Sequence, residues 1–490
     1  MASAAMQDQR RPNVLFCITD DQSWLHSSVQ GSKWIRTPAL ERLANKGVVF
    51  TNAYVSTPSC APSRAAVLSG QDFYRLGPAS MNHTEWKRGL RGYADALAEQ
   101  GYRVGSTGKG WAPGNWKKVG RQTPPAGREW NNVRLQAPAK GLADIDYAGN
   151  FAAFLDSGNK QSPFCFWVGF SEPHRVFESG YGKRAGVTSP QVPAFLPDTP
   201  EVRADVTDYA AEIEWADQHL GKMLDRLERM GELENTLVVF TGDNGMAFPR
   251  AKGNLYEYGT HVPLLMAWPQ RAKQGLRVGE PVSLVDVAPT ILEATGAPPL
   301  PGMTGRSLLP RLTGVSTKAV REEVVFGIER HFPGSRPDGA GYPSRGIRAG
   351  RYLLIENLTP DRNPVGDRPG PVWPSDDPTG GFGDTDGGPS KTVLCRGEAR
   401  HRELFERAFG KRPAVELYDV AADPANLKNL AGEHAHAGTV AGLRKRLQAY
   451  RQRTEDPRVM GKGEELDAVM RAYPTVSAEV SRQQEGGKQK

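Results

Sequence analysis

The segment Cys60-Ala61-Pro62-Ser63-Arg64, running on into Ala65-Ala66-Val67-Leu68-Ser69-Gly70, sets a thiol, a proline and a guanidinium at the mouth of a short helix. Proline suits a first helical turn, and the positive end of a helix dipole is where anions are held. A buried or helix-capping cysteine is the plainer reading of the same residues. Asp20-Asp21 close the apolar run Val14–Thr19, and Gly242-Asp243-Asn244-Gly245 close the run Leu237–Thr241. Adjacent carboxylates repel unless a cation or a helix N-terminus neutralises them. Three carboxylates and one amide oxygen make a hard donor set, suited to Ca²⁺ or Mg²⁺ rather than to zinc or copper. Read singly, each pair is also an ordinary cap or turn.

Those residues need a frame that brings their strand ends together. The first two-thirds of the chain alternates apolar runs (Val14–Thr19, Val48–Val55, Arg103–Ser106, Phe164–Phe170, Leu237–Thr241, Pro263–Trp268) with amphipathic stretches. Continuous rather than alternating apolar character marks strands covered on both faces. Thr37-Pro38 opens a helix that Gly47 closes. A longer helix spans about Thr207 to Met230, with Ile213, Ala216, Leu220, Met223, Leu224 and Leu227 on one face and Gly231 beyond its end. The pattern predicts an α/β fold: a mixed, mostly parallel sheet sandwiched by helices, with ligands at the carboxyl ends of the strands. Residues 11–338 form this first domain. A smaller α+β domain follows over 339–478, with strands in Gly346–Leu358 and Glu416–Val420 and a basic helix over His436–Arg453. Between them Asn363 to Pro389 is dense in Gly, Pro and Asp, a long irregular loop placed to close the pocket. Residues 1–10 and 479–490 read as loose termini.

The 490 residues carry 62 Lys and Arg against 55 Asp and Glu, a net charge of +7. That mild excess suits an acidic ligand or a merely soluble surface, and nothing in it points to nucleic acid. No apolar run of roughly 18 residues exists to span a membrane. Four dispersed cysteines (Cys17, Cys60, Cys165, Cys395) exclude a disulfide scaffold and a cysteine zinc site. Asn82-His83-Thr84 and Asn357-Leu358-Thr359 match the glycosylation pattern.

Asp20-Asp21, the Cys60–Gly70 segment, Gly108-Lys109, Pro173-His174 and Asp243-Asn244-Gly245 occur in the order found in the type I sulfatases, and the chain resembles that family from about residue 12 to 457. Within it, Glu172-Pro173-His174-Arg175, Phe248-Pro249 leading to Lys252 and Asn254-Leu255-Tyr256, and Glu416-Leu417-Tyr418-Asp419 resemble the sulfamidase branch, the heparan N-sulfatases, with a weaker echo in Asp456-Pro457. The resemblance implies an alkaline-phosphatase-like fold, and a Cys60 oxidised to formylglycine by a formylglycine-generating or anaerobic maturation enzyme. It implies one divalent cation, Ca²⁺ with Mg²⁺ as the alternative, on Asp20, Asp21, Asp243, Asn244 and modified Cys60. A soft thiol would match a hard ion poorly, whereas an aldehyde hydrate offers two hard oxygens. Arg64 and Lys109 would hold the formylglycine and the sulfate, Lys252 would grip the sulfate from the far side, and His174 would protonate the leaving group.

The implied substrate is a sulfated saccharide, with the N-sulfate of a glucosamine in view. The implied compartment is periplasmic or extracellular. An O-sulfated sugar, a phosphonate or phosphate monoester, or sulfoglycan binding without catalysis are the alternatives. Arg175 has two readings, a sugar-acid contact or a loop brace. His261 and His331 likewise line the pocket or serve as structural histidines. One position departs from the family: the histidine usually found two residues after Lys109 is Trp111, leaving His26, His83 and His261 as candidate substitutes.

Overall fold

The computed structural model describes residues 10–476 apart from 189, 397 and 398; most of the two expected loose termini lies outside the described residues. Nine strands build the central sheet. Its path runs Leu276–Val278, Gly47–Tyr54, His261–Ala267, Thr236–Gly242, Asn13–Thr19, Phe164–Gly169, Arg103–Gly108, Arg128–Glu129, with Val282–Ser283 added beside Gly47–Tyr54. Only His261–Ala267 runs antiparallel to its neighbours; the other pairings are parallel. The sheet is therefore the mixed, mostly parallel one that the apolar runs predict. Val14, Leu15, Phe16, Cys17 and Ile18 are fully buried, as are Leu237, Val238 and Val239, because helices cover both faces.

The two covering layers have separate cores. Helices Cys60–Ser69, Tyr93–Glu99 and Val287–Thr295 pack on one face with Phe16 and Trp167. Helices Pro38–Asn45, Tyr147–Asp156 and the long Pro200–Arg229 pack on the other with Leu15, Phe166 and Val238. The long helix begins ahead of the expected Thr207. Thr199 caps it by accepting from the Val202 amide, and Pro200 occupies its first turn.

A second, antiparallel sheet has the order Glu323–Ile328, Ser344–Ala349, Tyr352–Asn357, Val415–Asp419. Its first strand precedes residue 339 and pairs with Ser344–Ala349. It packs on the first unit through Tyr54, Leu255 and Tyr256 against Phe326, Ile355 and Tyr418. The helix Ala437–Arg453 covers its other face through Leu443, Leu447 and Tyr450. Beneath that sheet lies a buried ion network. Arg345 donates through Nη2 to Glu329 at 2.6 Å and through Nε to Asp456 at 2.7 Å. Arg451 reaches Asp456 at 2.8 Å and Arg458 reaches Glu329 at 2.6 Å. Asp456 thus serves packing of the small sheet. Neither glycosylation match is open: Asn82 and Asn357 are buried, Asn82 accepting from the Ala61 amide at 3.0 Å and Asn357 donating to Glu416 at 2.7 Å.

Candidate active site

Parallel pairing puts the tips of three strands side by side, with Thr19 opposite Gly242 and Ile18 opposite Gly169. At the first tip the chain turns through Asp21, whose φ of 75° lies in the left-handed region that Asp tolerates. Its amide donates to Asp243 Oδ1 at 3.0 Å, and the Asp243 amide donates to Thr19 O at 3.0 Å, so the two acidic tips are stitched together. A fourth tip, that of Arg103–Gly108, supplies Lys109. Gly108, with φ 70°, passes so close to Gly169 that a β-carbon there would meet Gly169 O at 2.1 Å. That close passage lets the next residue turn inward, and Lys109 Nζ pairs with Asp20 Oδ2.

Cys60 opens the helix Cys60–Ser69, all ten residues of which are buried. Its predecessor Ser59 is in the capping position but makes no side-chain cap, since its hydroxyl bonds to His331 Nδ1 at 2.8 Å. Cys60 Sγ lies 3.3 Å from Asp20 Oδ1 and 4.0 Å from Asp21 Oδ1. One helical turn on, Arg64 Nε donates to Asp243 Oδ2 at 2.7 Å and Nη1 to Lys109 O at 2.6 Å. Its Nη2 is buried with no hydrogen-bond partner, 3.9 Å from Asp20. Lys252 Nζ reaches Asp21 Oδ2 at 2.8 Å. Its neighbour Arg250 turns away, to Arg407 O at 2.7 Å and over the Tyr256 ring at 3.8 Å, so Lys252 is the cation of this loop that serves the cluster. His174 Nε2 faces Asp21 Oδ2 at 3.8 Å, and its Nδ1 donates to Arg175 O at 2.7 Å.

Burial is the first influence on the acids of the cluster. Burial, with Asp20, Asp243 and Asp386, pushes Asp21 up to about 8 against the pull of Lys252. Asp243 rises to about 6 through burial and Asp20, despite Arg64. Asp20 goes the other way: burial would raise it, but Lys109, His174, Arg64 and Lys252 hold it well below the usual carboxylate range. Burial and Asp20 also push the Cys60 thiol well up, which makes it a poor thiolate nucleophile as it stands.

A hard cation fits this place on two observations. Asn244 Oδ1 is a buried acceptor that no protein donor satisfies, while its Nδ2 is held by Asp21 Oδ1 at 2.7 Å. Donor atoms of Asp20, Asp21, Cys60 and His174 lie within 4.8 Å of one another. Asp243 stands at the edge of that group with both oxygens already engaged, by the Asp21 amide and Arg64. Aldehyde oxygens in place of Sγ would suit these neighbours better than sulfur does.

Two expected substrate residues are placed elsewhere. Arg175 is clamped by Asp205 at 2.7 and 2.8 Å, donates to Ala247 O at 2.7 Å and lies over Phe177 and Phe248: it braces the loop. Asp205 also accepts from the Ser390 amide at 3.1 Å and from its hydroxyl at 2.6 Å. His261 has its nitrogens engaged by Glu257 at 3.0 Å and Thr51 O at 2.9 Å, with its ring between Trp24 and Tyr54, a structural role. His331 does border the cluster; burial and Lys252 press it down to about 4. Trp111 packs edge-on against Trp86 at 5.1 Å. Among its candidate substitutes, His26 sits behind the site on the Tyr209 hydroxyl at 3.0 Å, and His83 stands closer, feeling His331, Lys109 and Lys252. Sequence reasoning missed Asp386, whose Oδ2 lies 3.1 Å from Lys252 Nζ, and Trp373, whose ring packs on His174 at 5.3 Å.

Among the described residues no helix is long and apolar enough to cross a membrane. The chain matches the sulfatase family over residues 12–297 and the family described as N-sulphoglucosamine sulphohydrolase, C-terminal, over residues 250–362. It is 31% identical over 491 aligned residues to the Homo sapiens N-sulphoglucosamine sulphohydrolase, spanning 91% of each chain. A protein solved in complex with its substrate D-glucosamine-2-N,6-O-disulfate has the same fold, with a TM-score of 0.66 at 19% identity, covering 91% of this chain and 99% of that one. The phosphonate monoester hydrolase of Agrobacterium radiobacter superposes with a TM-score of 0.62 at 16% identity, covering 91% and 96%. This chain belongs to the sulfatase family, as a hydrolase of sulfate esters or sulfamates of sulfated glycans.

Proposed function

We propose that the protein removes the N-sulfate from a glucosamine residue of a heparan-type glycan, using a formylglycine made from Cys60 and one Ca²⁺, with Mg²⁺ as the alternative ion. The observation that carries this reading is the seat of Cys60: at a helix mouth, 3.3 Å from Asp20, among Arg64, Lys109 and Lys252. The likeness to the human N-sulphoglucosamine sulphohydrolase, and the C-terminal match that includes Lys252, support the choice of an N-sulfate. Asp20, Asp21, Asp243 and Asn244 would hold the ion. With the modification and the ion in place, the site gains an oxygen nucleophile and a Lewis acid against the sulfate.

The chain's own residues do the rest. Arg64 is fixed by Asp243 and Lys109 O, which leaves its buried Nη2 to a sulfate oxygen. Lys109 and Lys252 approach from opposite carboxylates, so three cations surround the charge that builds on the sulfate. The Arg175 carbonyl fixes the proton on His174 Nδ1 and leaves Nε2 to carry a second proton to the departing nitrogen. Sulfated glycans are met outside the cytoplasm, so we place the protein in the periplasm or beyond the cell, served by a separate maturation enzyme.

Sulfate release from N-sulfoglucosamine, measured beside O-sulfated sugars and aryl phosphates, tests the substrate. The expected result is a preference for the N-sulfate of at least about tenfold in kcat/KM, a difference of about 1.4 kcal/mol; preference for an O-sulfate or a phosphate overturns it. The intact mass of the Cys60 peptide, from a host with the maturation system, tests the nucleophile. An unchanged thiol in active protein would remove the formylglycine.

A further inference from the structure

The segment 363–388 contains no helix or strand, yet it enters the active site at two points. Asp386 Oδ2 lies 3.1 Å from Lys252 Nζ, and the Trp373 ring packs edge-to-face on His174 at 5.3 Å. The segment is tied down throughout. The Gly387 amide donates to Trp373 O at 2.7 Å, joining the two points. Asp384 accepts from the Phe332 amide at 2.8 Å and pairs with Arg336 at 2.8 Å. Asp377 pairs with the buried Lys391 at 2.7 Å. Asp386 is thus held in place, with its side chain 10% exposed at the edge of the site.

A carboxylate here works against simple anion binding. It stands next to the lysine that grips the sulfate, and like charges repel across such distances. Burial would raise Asp386, but Lys252, His174 and His331 outweigh it and keep it ionised. A fixed negative charge within electrostatic reach of His174 favours positive charge on whatever His174 protonates. When an N–S bond breaks, its electron pair stays on nitrogen, the sulfur passes to the nucleophile's oxygen, and nitrogen takes the His174 proton. The sulfamate nitrogen carries positive charge as it is protonated ahead of cleavage; once the N–S pair has stayed on it the amine leaves neutral, and it takes a second proton from water to become an ammonium at neutral pH. An alcohol also leaves neutral under the same proton transfer, but its oxygen is far less basic, carries less positive charge ahead of cleavage and takes up no second proton, so it gains less from a carboxylate.

We propose that Asp386 is the leaving-group selector of this site: carried in by the 363–388 segment, its carboxylate favours sulfate borne on nitrogen over sulfate borne on oxygen. The assignment rests on the N-sulfoglucosamine reading above. Trp373, from the same segment, packs edge-to-face on the His174 ring at 5.3 Å.

The experiment compares wild type and Asp386→Asn, each with verified conversion of Cys60, on N-sulfoglucosamine and on para-nitrophenyl sulfate. Asp386→Asn is expected to lose about 10- to 100-fold in kcat/KM on N-sulfoglucosamine and to stay within about threefold of wild type on the aryl sulfate, which lowers the selectivity ratio at least about tenfold. Equal losses on both substrates would reduce Asp386 to a prop for Lys252 and overturn the proposal; so would no loss on either. Asp386→Glu keeps the charge and serves where the first variant melts early: it is expected to retain the nitrogen preference, and loss of that preference overturns the charge argument. A wild type inactive on N-sulfoglucosamine but active on an O-sulfated sugar overturns the substrate reading and this assignment together. Wild-type activity on N-sulfoglucosamine with either contrary variant result overturns the assignment alone.

Discussion

Two of the buried charge clusters among the described residues are built on opposite terms. Beneath the small sheet, Asp456 and Glu329 meet Arg345, Arg451 and Arg458, with each carboxylate paired to two guanidinium groups. Burial would raise Asp456, but Arg345 and Arg451 hold it below the usual carboxylate range. At the strand tips of the large sheet, burial and mutual repulsion lift Asp21 to about 8 and Asp243 to about 6, even with three basic residues at hand. The first cluster, in which every carboxylate has two guanidinium partners, is a fastening; the second leaves two of its carboxylates raised, the arrangement of a functional site.

The contrast is sharpest in what each cluster loses when cut. Asp243→Asn is expected to lower turnover by about 10³-fold or more through loss of the ion. Its cation-free stability should stay within about 1 kcal/mol of wild type, since Arg64 keeps Asp20 nearby and repulsion at Asp21 eases. Calorimetry and metal analysis check both halves; full cation occupancy in that variant would strike Asp243 from the ligand set. Arg345→Met should instead destabilise the fold by about 3–5 kcal/mol, because it strands Asp456 and Glu329 without a central partner. Unchanged melting would mean that Arg451 and Arg458 suffice.

The smallest effect is in pH, and the two clusters carry opposite signs. Asp456 has a folded value below its unfolded one, so its contribution is present above about pH 4 and is lost as pH falls further. Asp21 and Asp243 have folded values above their unfolded ones. Their contribution is present below about pH 4 and is lost as pH rises through about 6 and 8. Cation-stripped protein should therefore lose stability between about pH 5 and 8, by no more than about 1.4 kcal/mol per pH unit for each proton. Added Ca²⁺ should restore more at higher pH, because the ligands must be deprotonated to bind it. A flat melting profile of the stripped protein over that range would contradict the raised carboxylates.

The residues that end apolar strands were legible because a buried parallel strand must surface at its tip, and polar residues there have few other reasons to be adjacent. Asp20-Asp21 and Asp243-Asn244 follow that logic. Asp386 does not: it lies in a segment without periodicity, and only the folded path brings it to Lys252. The start of the long helix was readable from Thr199-Pro200, the same cap-and-proline pair as Thr37-Pro38, but the apolar stripe is clear only further on. Glu323–Ile328 read as part of the first unit because its partner, Ser344–Ala349, is a tertiary choice. Arg175 and His261 carry groups fit for a substrate, yet their neighbours Asp205 and Glu257, distant or facing inward, engage them first.

Asp205 touches nothing that reacts, but one of its oxygens steadies Arg175 and the other is shared by Arg175 and Ser390. The proton donor's turn and the far end of the strap that brings Asp386 inward therefore hang from a single hinge pin on the long helix. Damage to that pin would slacken acid and selector at once, and a substitution there would mimic a fault in the chemistry while lying outside it.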